Sequence, residues 1–191
     1  MRLVVVTPPA PVVTWADADQ HLKLSGDTSQ QAEVEAMIAA ATGTLDGPDG
    51  WLGRALGRQT IEARCDRFDD CGIYLPLPPL VSVDSVKYLD SSNIEQTLPP
   101  ERYELQGSRL VAAWNTRWPT MLCRPEAVRV TYTAGYAPGA LPFNIRAAIL
   151  LMVGDLYANR ETVISGSSVG SVQIPMSTTV ERLLGTYRVF A

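Results

Sequence analysis

The chain has 191 residues, of which 46% are apolar and 19% charged, and its formal net charge at pH 7 is −4. This length fits one domain, or one domain with a sizeable insertion, and the composition is typical of a globular rather than a disordered protein. A mildly acidic chain without a basic run has no electrostatic footprint for gripping a phosphate backbone. Tight DNA binding is therefore excluded, although a role near DNA is not.

The cysteines and the apolar segments predict a soluble intracellular protein. Cys65, Cys71 and Cys123 are odd in number and lack metal-ligand spacing, so we expect small buried or half-buried thiols rather than disulfides or a zinc site. The N-terminal run MRLVVV is cut off by two prolines and is too short for a signal peptide. The longest apolar stretch, from Ala147, is too short to cross a bilayer, so we expect no membrane contact.

The first third of the chain reads as helical. Thr14 followed by Asp17 has the form of a capping box, with Asp in the place of Glu, and opens a short helix. Asp27 can cap a second helix, which a Gly- and Pro-rich segment at 47–50 ends. One apolar stripe of this second helix is predicted to face a core. Its residues are Val34, Met37, Ile38, Ala41 and Leu45.

From about Gln59 to Tyr136 the pattern changes to alternation, which predicts an antiparallel β unit of five or six short strands. Within it the segment Leu75–Val83, LPLPPLVSV, begins like a strand and then places three prolines within four positions. Proline has no N–H to give to a sheet, so the segment is no central strand. We interpret it as an extended, polyproline-II-like corner between two strands, whose prolines also discourage stray strand pairing.

Helical periodicity returns in LPFNIRAAILLMVGDLYANRE, where the helix is capped by Asn144 or begins nearer Pro142. A Gly- and Ser-rich stretch follows, and the short helix TTVERLLGTYRVF ends the chain. The order of elements predicts an α+β protein, a small helical bundle with an inserted antiparallel β unit. The predicted parts are an N-terminal helical part (1–58), a β insertion (59–140) and C-terminal helices that complete the bundle and carry a partner-binding tail (141–191).

One enzyme motif is present, because residues 166–170 spell GxSxG, the nucleophile elbow of serine hydrolases. That motif requires a following helix and a histidine downstream of the serine. Here the motif is followed by SVQIP, which cannot start a helix, and the only histidine, His21, lies far upstream, where it reads as a surface or cap residue. Neighbouring aspartates such as Asp69 and Asp70 read as solvated turn residues, and no nucleotide-binding motif occurs. We therefore expect no enzyme, no cofactor and no metal site.

Trp114 and Trp118 flank the tripeptide NTR within a polar loop, AAWNTRWPT, between two predicted strands. Either the loop folds both rings onto its own sheet, or it presents them as anchors for another molecule. The second reading leaves open a β-type binding module that recognises a carbohydrate or peptide through these two residues. Trp15 and Trp51 border helices and are expected in the core.

Several strings then occur in a recognisable order over the stretch from about Trp15 to Val189. They are DADQHLKL, GRALGRQT, YLPLPPLVSVDSVKYLD, a W-x-x-x-WP loop, VRVTYTAGY, IRAAILLMVGDLYANRE and ERLLGTYRV. In this order they resemble the head-tail connector (adaptor) proteins of tailed phages, in the gp6-like and phiE125 gp8-like group, which also occur in prophages and gene transfer agents. No residue role carries over from the resemblance to the Gly/Ser loop at 165–171 or to the tryptophan loop.

The resemblance implies a structural virion protein without enzymatic activity. Such connectors form a ring, usually a dodecamer, beneath the portal protein at the head-tail interface. The ring extends the DNA channel, through which DNA passes without specific binding, and docks the next tail-completion (stopper) protein. Assembly is expected in the bacterial cytoplasm.

A ring subunit needs two different faces, because head-to-tail contacts close a cycle. The apolar C-terminal segment is hard to solvate as a free end, so we predict that residues 160–191 contact the portal. Deleting 186–191 is expected to abolish co-assembly and leave the fold intact. The side chains predicted at partner interfaces are Trp114, Trp118, Val169, Ile174, Leu184, Tyr187, Val189 and Phe190.

Overall fold

A computed structural model describes residues 1–159 and 177–190 of the chain. Within these residues the helices pack on one another and the strands form two antiparallel sheets, which is the predicted α+β class. The helices are α1 (Trp15–Leu22), α2 (Gln31–Leu45), α3 (Phe143–Ala158) and α4 (Thr178–Leu184). The strands are β1 (Arg2–Thr7), β2 (Gln59–Cys65), β3 (Ile73–Tyr74), β4 (Leu80–Leu89), β5 (Glu95–Leu98), β6 (Tyr103–Gln106), β7 (Arg109–Ala112) and β8 (Val128–Ala134).

The helix starts follow local side-chain chemistry. At α1 the predicted capping box is confirmed, because the Thr14 hydroxyl accepts the N–H of Asp17 and the Asp17 carboxylate accepts the N–H of Thr14. Asp27 accepts the N–H of Ser29 in a short 3₁₀ turn that leads into α2. Helix α3 begins directly after Pro142 without a side-chain cap, so of the two predicted starts the one at Pro142 is correct.

The helices enclose one apolar core, which we call the helical core. The predicted stripe of α2 faces it, since Val34, Ile38, Ala41 and Leu45 are buried. Helices α3 and α4 supply the opposite side, so segments far apart in sequence complete one bundle. The core residues from these two helices are Ile145, Ala148, Ile149, Val153, Val180 and Leu184.

The strands form a five-stranded sheet in the order β1-β2-β8-β4-β5 and a three-stranded sheet in the order β3-β7-β6. Their apolar faces enclose a second core, which we call the sheet core, around Ile61, Val86, Val130 and the fully buried Tyr132. The prediction of five or six strands after residue 59 was too low, because seven are present there. The first third is also not purely helical, since β1 pairs with β2.

The proline segment joins β3 of the small sheet to β4 of the large one, so the predicted corner is confirmed. The prediction of an extended, polyproline-II-like conformation for this segment is wrong, because Leu77 has a φ of +64° and the Pro78–Pro79 peptide bond is cis. This backbone turns both Leu75 and Leu77 into the sheet core, where they are 0% and 3% exposed.

The two cores meet at a polar junction. The carboxylate of Asp46, directly after α2, accepts the N–H of Leu56 at 2.6 Å and the side-chain amide of Gln59 at 3.2 Å. Burial raises the pKa of Asp46, although these hydrogen bonds oppose the shift. Nearby the N–H of Tyr136 donates to the carbonyl of Leu56 at 3.0 Å, so the end of β8 is tied to the segment that leaves the helical core.

Candidate interaction surfaces

The two tryptophans of the 113–121 loop have different environments. Trp118 stacks on Phe68 with ring centroids 4.5 Å apart and an interplanar angle of 8°, and its indole N–H donates to the carbonyl of Asp69 at 3.0 Å. Trp114 is 94% exposed. The loop thus folds Trp118 onto the sheet core and presents Trp114 to solvent. Of the two predicted alternatives, packing on the sheet holds for Trp118 and exposure to solvent holds for Trp114.

Hydrogen bonds hold the loop that carries Trp114. The hydroxyl of Thr116 donates to the carbonyl of Ala113 at 2.7 Å, and the guanidinium of Arg102 donates to the carbonyl of Arg117 at 2.9 Å. An exposed aromatic on a fixed loop loses little conformational entropy on binding, which is the property of an interface anchor. The spacing of the two tryptophans could not reveal this division, because Phe68 lies fifty residues upstream in the sequence.

The C-terminal segment packs back on the rest of its own chain. Leu184 is fully buried in the helical core, and Tyr187 packs against that core. The N–H of Val189 donates to the carbonyl of Leu52 at 2.9 Å, and the guanidinium of Arg54 donates to the carbonyl of Tyr187. The premise of a free end is therefore wrong, and deletion of 186–191 would remove contacts of the fold itself.

Beyond these contacts the segment presents an aromatic and cationic surface. The Arg188 guanidinium carbon lies 4.4 Å from the centroid of the Trp51 ring and 4.8 Å from that of Phe190. Phe190 is 79% exposed. We call Trp51, Arg188 and Phe190 the tail surface. Of the predicted interface residues, Phe190 and Trp114 are thus the ones that present large exposed side chains, whereas Val169 and Ile174 lie outside the described residues.

The outer face of the five-stranded sheet carries a row of cations that the sequence did not reveal. Arg2 pairs in register with Arg64, Arg64 with Arg129, and Arg129 with Lys87, so four basic side chains lie side by side on β1, β2, β8 and β4. Like charges directly opposite one another destabilise a sheet. We call these four residues the cation row. Only the strand order brings them together, because they are distributed over 128 positions of the sequence.

Three glutamates neutralise most of the cation row. The hydrogen bond from Arg64, with a further contribution from Arg2, lowers the pKa of Glu126, which favours its ionised form. The face therefore combines fixed positive charges with fixed negative ones. The ion pairs are Arg2–Glu126 (3.1 Å), Arg64–Glu126 (3.1 Å), Arg64–Glu62 (2.6 Å), Lys87–Glu95 (3.1 Å) and Arg129–Glu95 (3.2 Å).

The remaining candidates for chemistry are dispersed. His21 is exposed in the last turn of α1, as predicted, and the GxSxG serine, Ser168, lies outside the described residues. Cys65 is buried, which raises the pKa of its thiol, but Cys71 and Cys123 are exposed in loops, so the expectation of buried thiols is wrong for these two. In the part of the chain that the structure describes, no group of three or more His, Cys, Asp or Glu side chains could hold a metal ion.

None of the helices within 1–159 and 177–190 is long and apolar enough to cross a membrane.

Comparison with known proteins gives matches among solved structures. No model of a known protein family matches the chain, and no curated protein does. A chain in the neck of an empty gene transfer agent (GTA) particle, computed with C6 symmetry, aligns with a TM-score of 0.73 and 20% identity. A chain in the virion of a native GTA particle aligns at 0.70 and 19%, and one in the neck of a native GTA particle, computed with C12 symmetry, at 0.67 and 19%. Each alignment covers 100% of this chain and 97% of the other, so the whole fold is shared.

Proposed function

We propose that this protein is a structural head-tail connector (adaptor) of a tailed phage or phage-like particle. The observation that carries the proposal is the likeness of its complete fold to chains in the necks and virion of GTA particles. The C6 and C12 symmetries of those necks support a homo-oligomeric ring, for which we propose twelve copies. The narrower assignment to the gp6-like or phiE125 gp8-like group is part of the proposal.

The ring would sit under the portal and extend the DNA channel. A channel through which DNA slides must not hold phosphates, and here the net charge is −4 and the cation row is paired with Glu62, Glu95 and Glu126. The protein would therefore offer DNA no continuous positive path. This property supports passage without specific binding.

The two exposed aromatic surfaces lie on different parts of the subunit. The tail surface packs on the helical core, whereas Trp114 projects from the loop after β7. We assign the portal contact to the tail surface and the contact with the tail-completion protein to Trp114. Aromatic side chains that lose water on docking dominate the binding energy of many interfaces.

Two point variants test these assignments better than a deletion does. Phe190→Ala should weaken co-sedimentation with the portal of the particle about tenfold or more, because an exposed aromatic anchor is lost. Trp114→Ala should leave portal binding unchanged and weaken binding of the tail-completion protein. Phe143→Ala is the matched control, since Phe143 is 84% exposed at the start of α3 and belongs to neither surface. Equal portal binding by the Phe190 and Phe143 variants would contradict the assignment.

The β-type binding module remains as the second function, and the exposure of Trp114 is the observation that favours it. Of the two tryptophans predicted to bind the ligand, Trp118 already stacks on Phe68 and donates its N–H to the carbonyl of Asp69, so only Trp114 could serve. This module predicts a monomer that binds a peptide or glycan through Trp114. A monomer that binds no portal would support it over the connector.

A further inference from the structure

Strand β1 forms an edge of the five-stranded sheet, and its register with β2 shifts only between Val5 and Thr7. Its sequence is RLVVVT, and no strand among the described residues pairs with its outer side. Such edges are ready to pair with another chain, and proteins commonly protect them with prolines, lysines or covering segments. Between Leu3 and Thr7 this strand has no proline and no charge, and Val5 and Val6 are 39% and 56% exposed.

The Val5 side chain is exposed although it lies on the core face of the sheet. Val5 lies opposite Ile61, whose side chain is fully buried in the sheet core, so Val5 is on the core face of the sheet. Leu3, on the same face, packs against that core. The apolar layer therefore continues to the edge of the sheet and is left uncovered at Val5.

The opposite edge of the same sheet, at β4 and β5, is also partly unpaired among the described residues. Strand β5 covers β4 only along Val86–Leu89, and no strand of the described chain pairs with the outer side of Leu80–Ser85. Val83 in this stretch lies opposite the buried Tyr132, so it is on the core face and is half-buried. The Asp84 carboxylate in this stretch is directed to its own chain, where it accepts hydrogen bonds from Ser82 and Thr133.

We propose that β1 of one subunit pairs with the Leu80–Ser85 part of β4 in a second copy of this chain, which brings Val5 against Val83. All neighbouring strands in the sheet are antiparallel, so β1 runs antiparallel to β4. A rotation about an axis roughly along the strands keeps each strand direction, and β1 of the next copy then continues an antiparallel sheet. Because the two edges differ, the contact is head-to-tail and repeats around a ring.

This inference rests on the proposed ring, whose subunit contact it specifies. It also fits the chemistry of both edges, because pairing satisfies two sets of backbone groups that no strand of the described residues pairs, and it continues the sheet core from one copy to the next. A pairing of β1 with β1 would instead be two-fold and would end at a dimer.

Cysteine cross-linking between two variants of the full chain tests the contact. Both carry Cys71→Ser and Cys123→Ser to remove the exposed thiols; one adds Val5→Cys and the other Val83→Cys. Directly opposite residues have Cα atoms about 4.5–5.5 Å apart, which a disulfide can span. We expect a covalent dimer in the oxidised mixture at a rate at least tenfold above that of a Val4→Cys and Val83→Cys mixture. Val4 is the matched control because it lies opposite Glu62 on the other face.

Electron microscopy of the unmodified protein, alone and with its portal, separates this inference from the proposed function. Rings without a Val5–Val83 cross-link would overturn the edge pairing and leave the connector standing. Cross-links without rings would support the pairing and count against the connector. Faster linking of Val5→Cys with itself would overturn the head-to-tail contact in favour of a two-fold one.

Charge variants provide a second readout that needs no disulfide. Val5→Lys should reduce ring formation at least tenfold, because a lysine on an edge opposes strand addition. Ile94→Lys is the control, since Ile94 is 58% exposed in the turn between β4 and β5 and belongs to neither edge. Normal rings from the Val5→Lys protein would overturn the proposal. Thermal unfolding that matches that of the Ile94→Lys protein shows that a loss of rings is not a loss of the fold.

Discussion

At the scale of single residues, Trp114 and Trp118 show how one residue type takes two roles within one loop. Trp118→Ala removes the stack on Phe68 and the hydrogen bond to Asp69, so we expect a loss of about 2 kcal/mol in the free energy of unfolding. Trp114→Ala should change that free energy by less than about 0.5 kcal/mol, because its ring is solvated. Urea denaturation of both variants measures the difference, and equal losses would contradict the two assignments.

The lowered pKa of Asp17 leads us to expect that the free energy of unfolding depends on pH. Burial acts to raise its pKa, but hydrogen bonds from Thr14 and the ion pair with Arg146 together lower it below its ordinary 3.8. The stabilisation is therefore complete above about pH 3.8 and is lost as the pH falls through the lower value of the folded state. Asp17→Asn should cost about 0.5–1 kcal/mol at neutral pH, and the gap to the unmodified protein should close in acid. A gap that stays constant in urea denaturation from neutral pH into acid would show that ionisation of Asp17 contributes nothing.

Sequence reasoning succeeds at this scale where both partners are close along the chain. The capping box of Thr14 and Asp17 is readable because its partners are three positions apart. The buried Asp46 is not, since its partners Leu56 and Gln59 come to it only when the chain turns back after α2. No periodicity signals such a carboxylate before the fold is known.

At the scale of elements, the junction between the two cores depends on a close approach of two backbones. Gly135 has a φ of +100°, and a Cβ there would collide with the carbonyl oxygen of Gly57. We expect Gly135→Ala to cost about 3 kcal/mol or more, because strain and a backbone clash add. Gly107→Ala is the control, since Gly107 has a φ of +60° but open space around it, and about 1 kcal/mol is expected. Similar melting temperatures for the two variants would argue against a tight junction.

The cation row gives a prediction for the large sheet. Changing Glu62, Glu95 and Glu126 to Gln leaves four unpaired cations and alters the net charge from −4 to −1. We expect this triple variant to bind double-stranded DNA at low salt and to release it as salt rises, whereas the unmodified protein does not bind. Fluorescence anisotropy with a labelled duplex measures both.

The control for this prediction changes the charge equally at a distance from the row. Glu101, Glu104 and Glu181 lie outside it, so their replacement by Gln should leave DNA unbound. Binding by both triple variants would mean that net charge, rather than the freed cation row, sets DNA affinity.

Two strands escaped sequence reasoning for different reasons. Strand β1 is a run of valines at a sheet edge, where both faces are partly exposed and no alternation develops. Strand β5, EQTL, is polar because its role is to pair with the end of β4. The helices were readable because an apolar stripe of α2 and a mostly apolar α3 persist over several turns.

At the scale of the whole molecule, the fold class followed from the order of helical and alternating patterns, but the division into two sheets did not. That division depends on the corner at Pro78 and Pro79, which sends consecutive strands β3 and β4 to different sheets. The packing of the C-terminal segment on its own chain is likewise not readable from the sequence, because its partners Leu52 and Arg54 lie more than a hundred positions upstream. Surfaces formed by such distant segments become visible only in the folded chain.

On the proposed function, copies of this chain form a ring that docks on a portal. Electron microscopy of the purified protein, alone and mixed with the portal of its particle, tests this proposal. We expect a ring with an open central channel in at least one of the two samples, with twelve copies countable around the axis. Monomers in both samples, with no added density on the portal, would contradict the connector and direct attention to a ligand of Trp114.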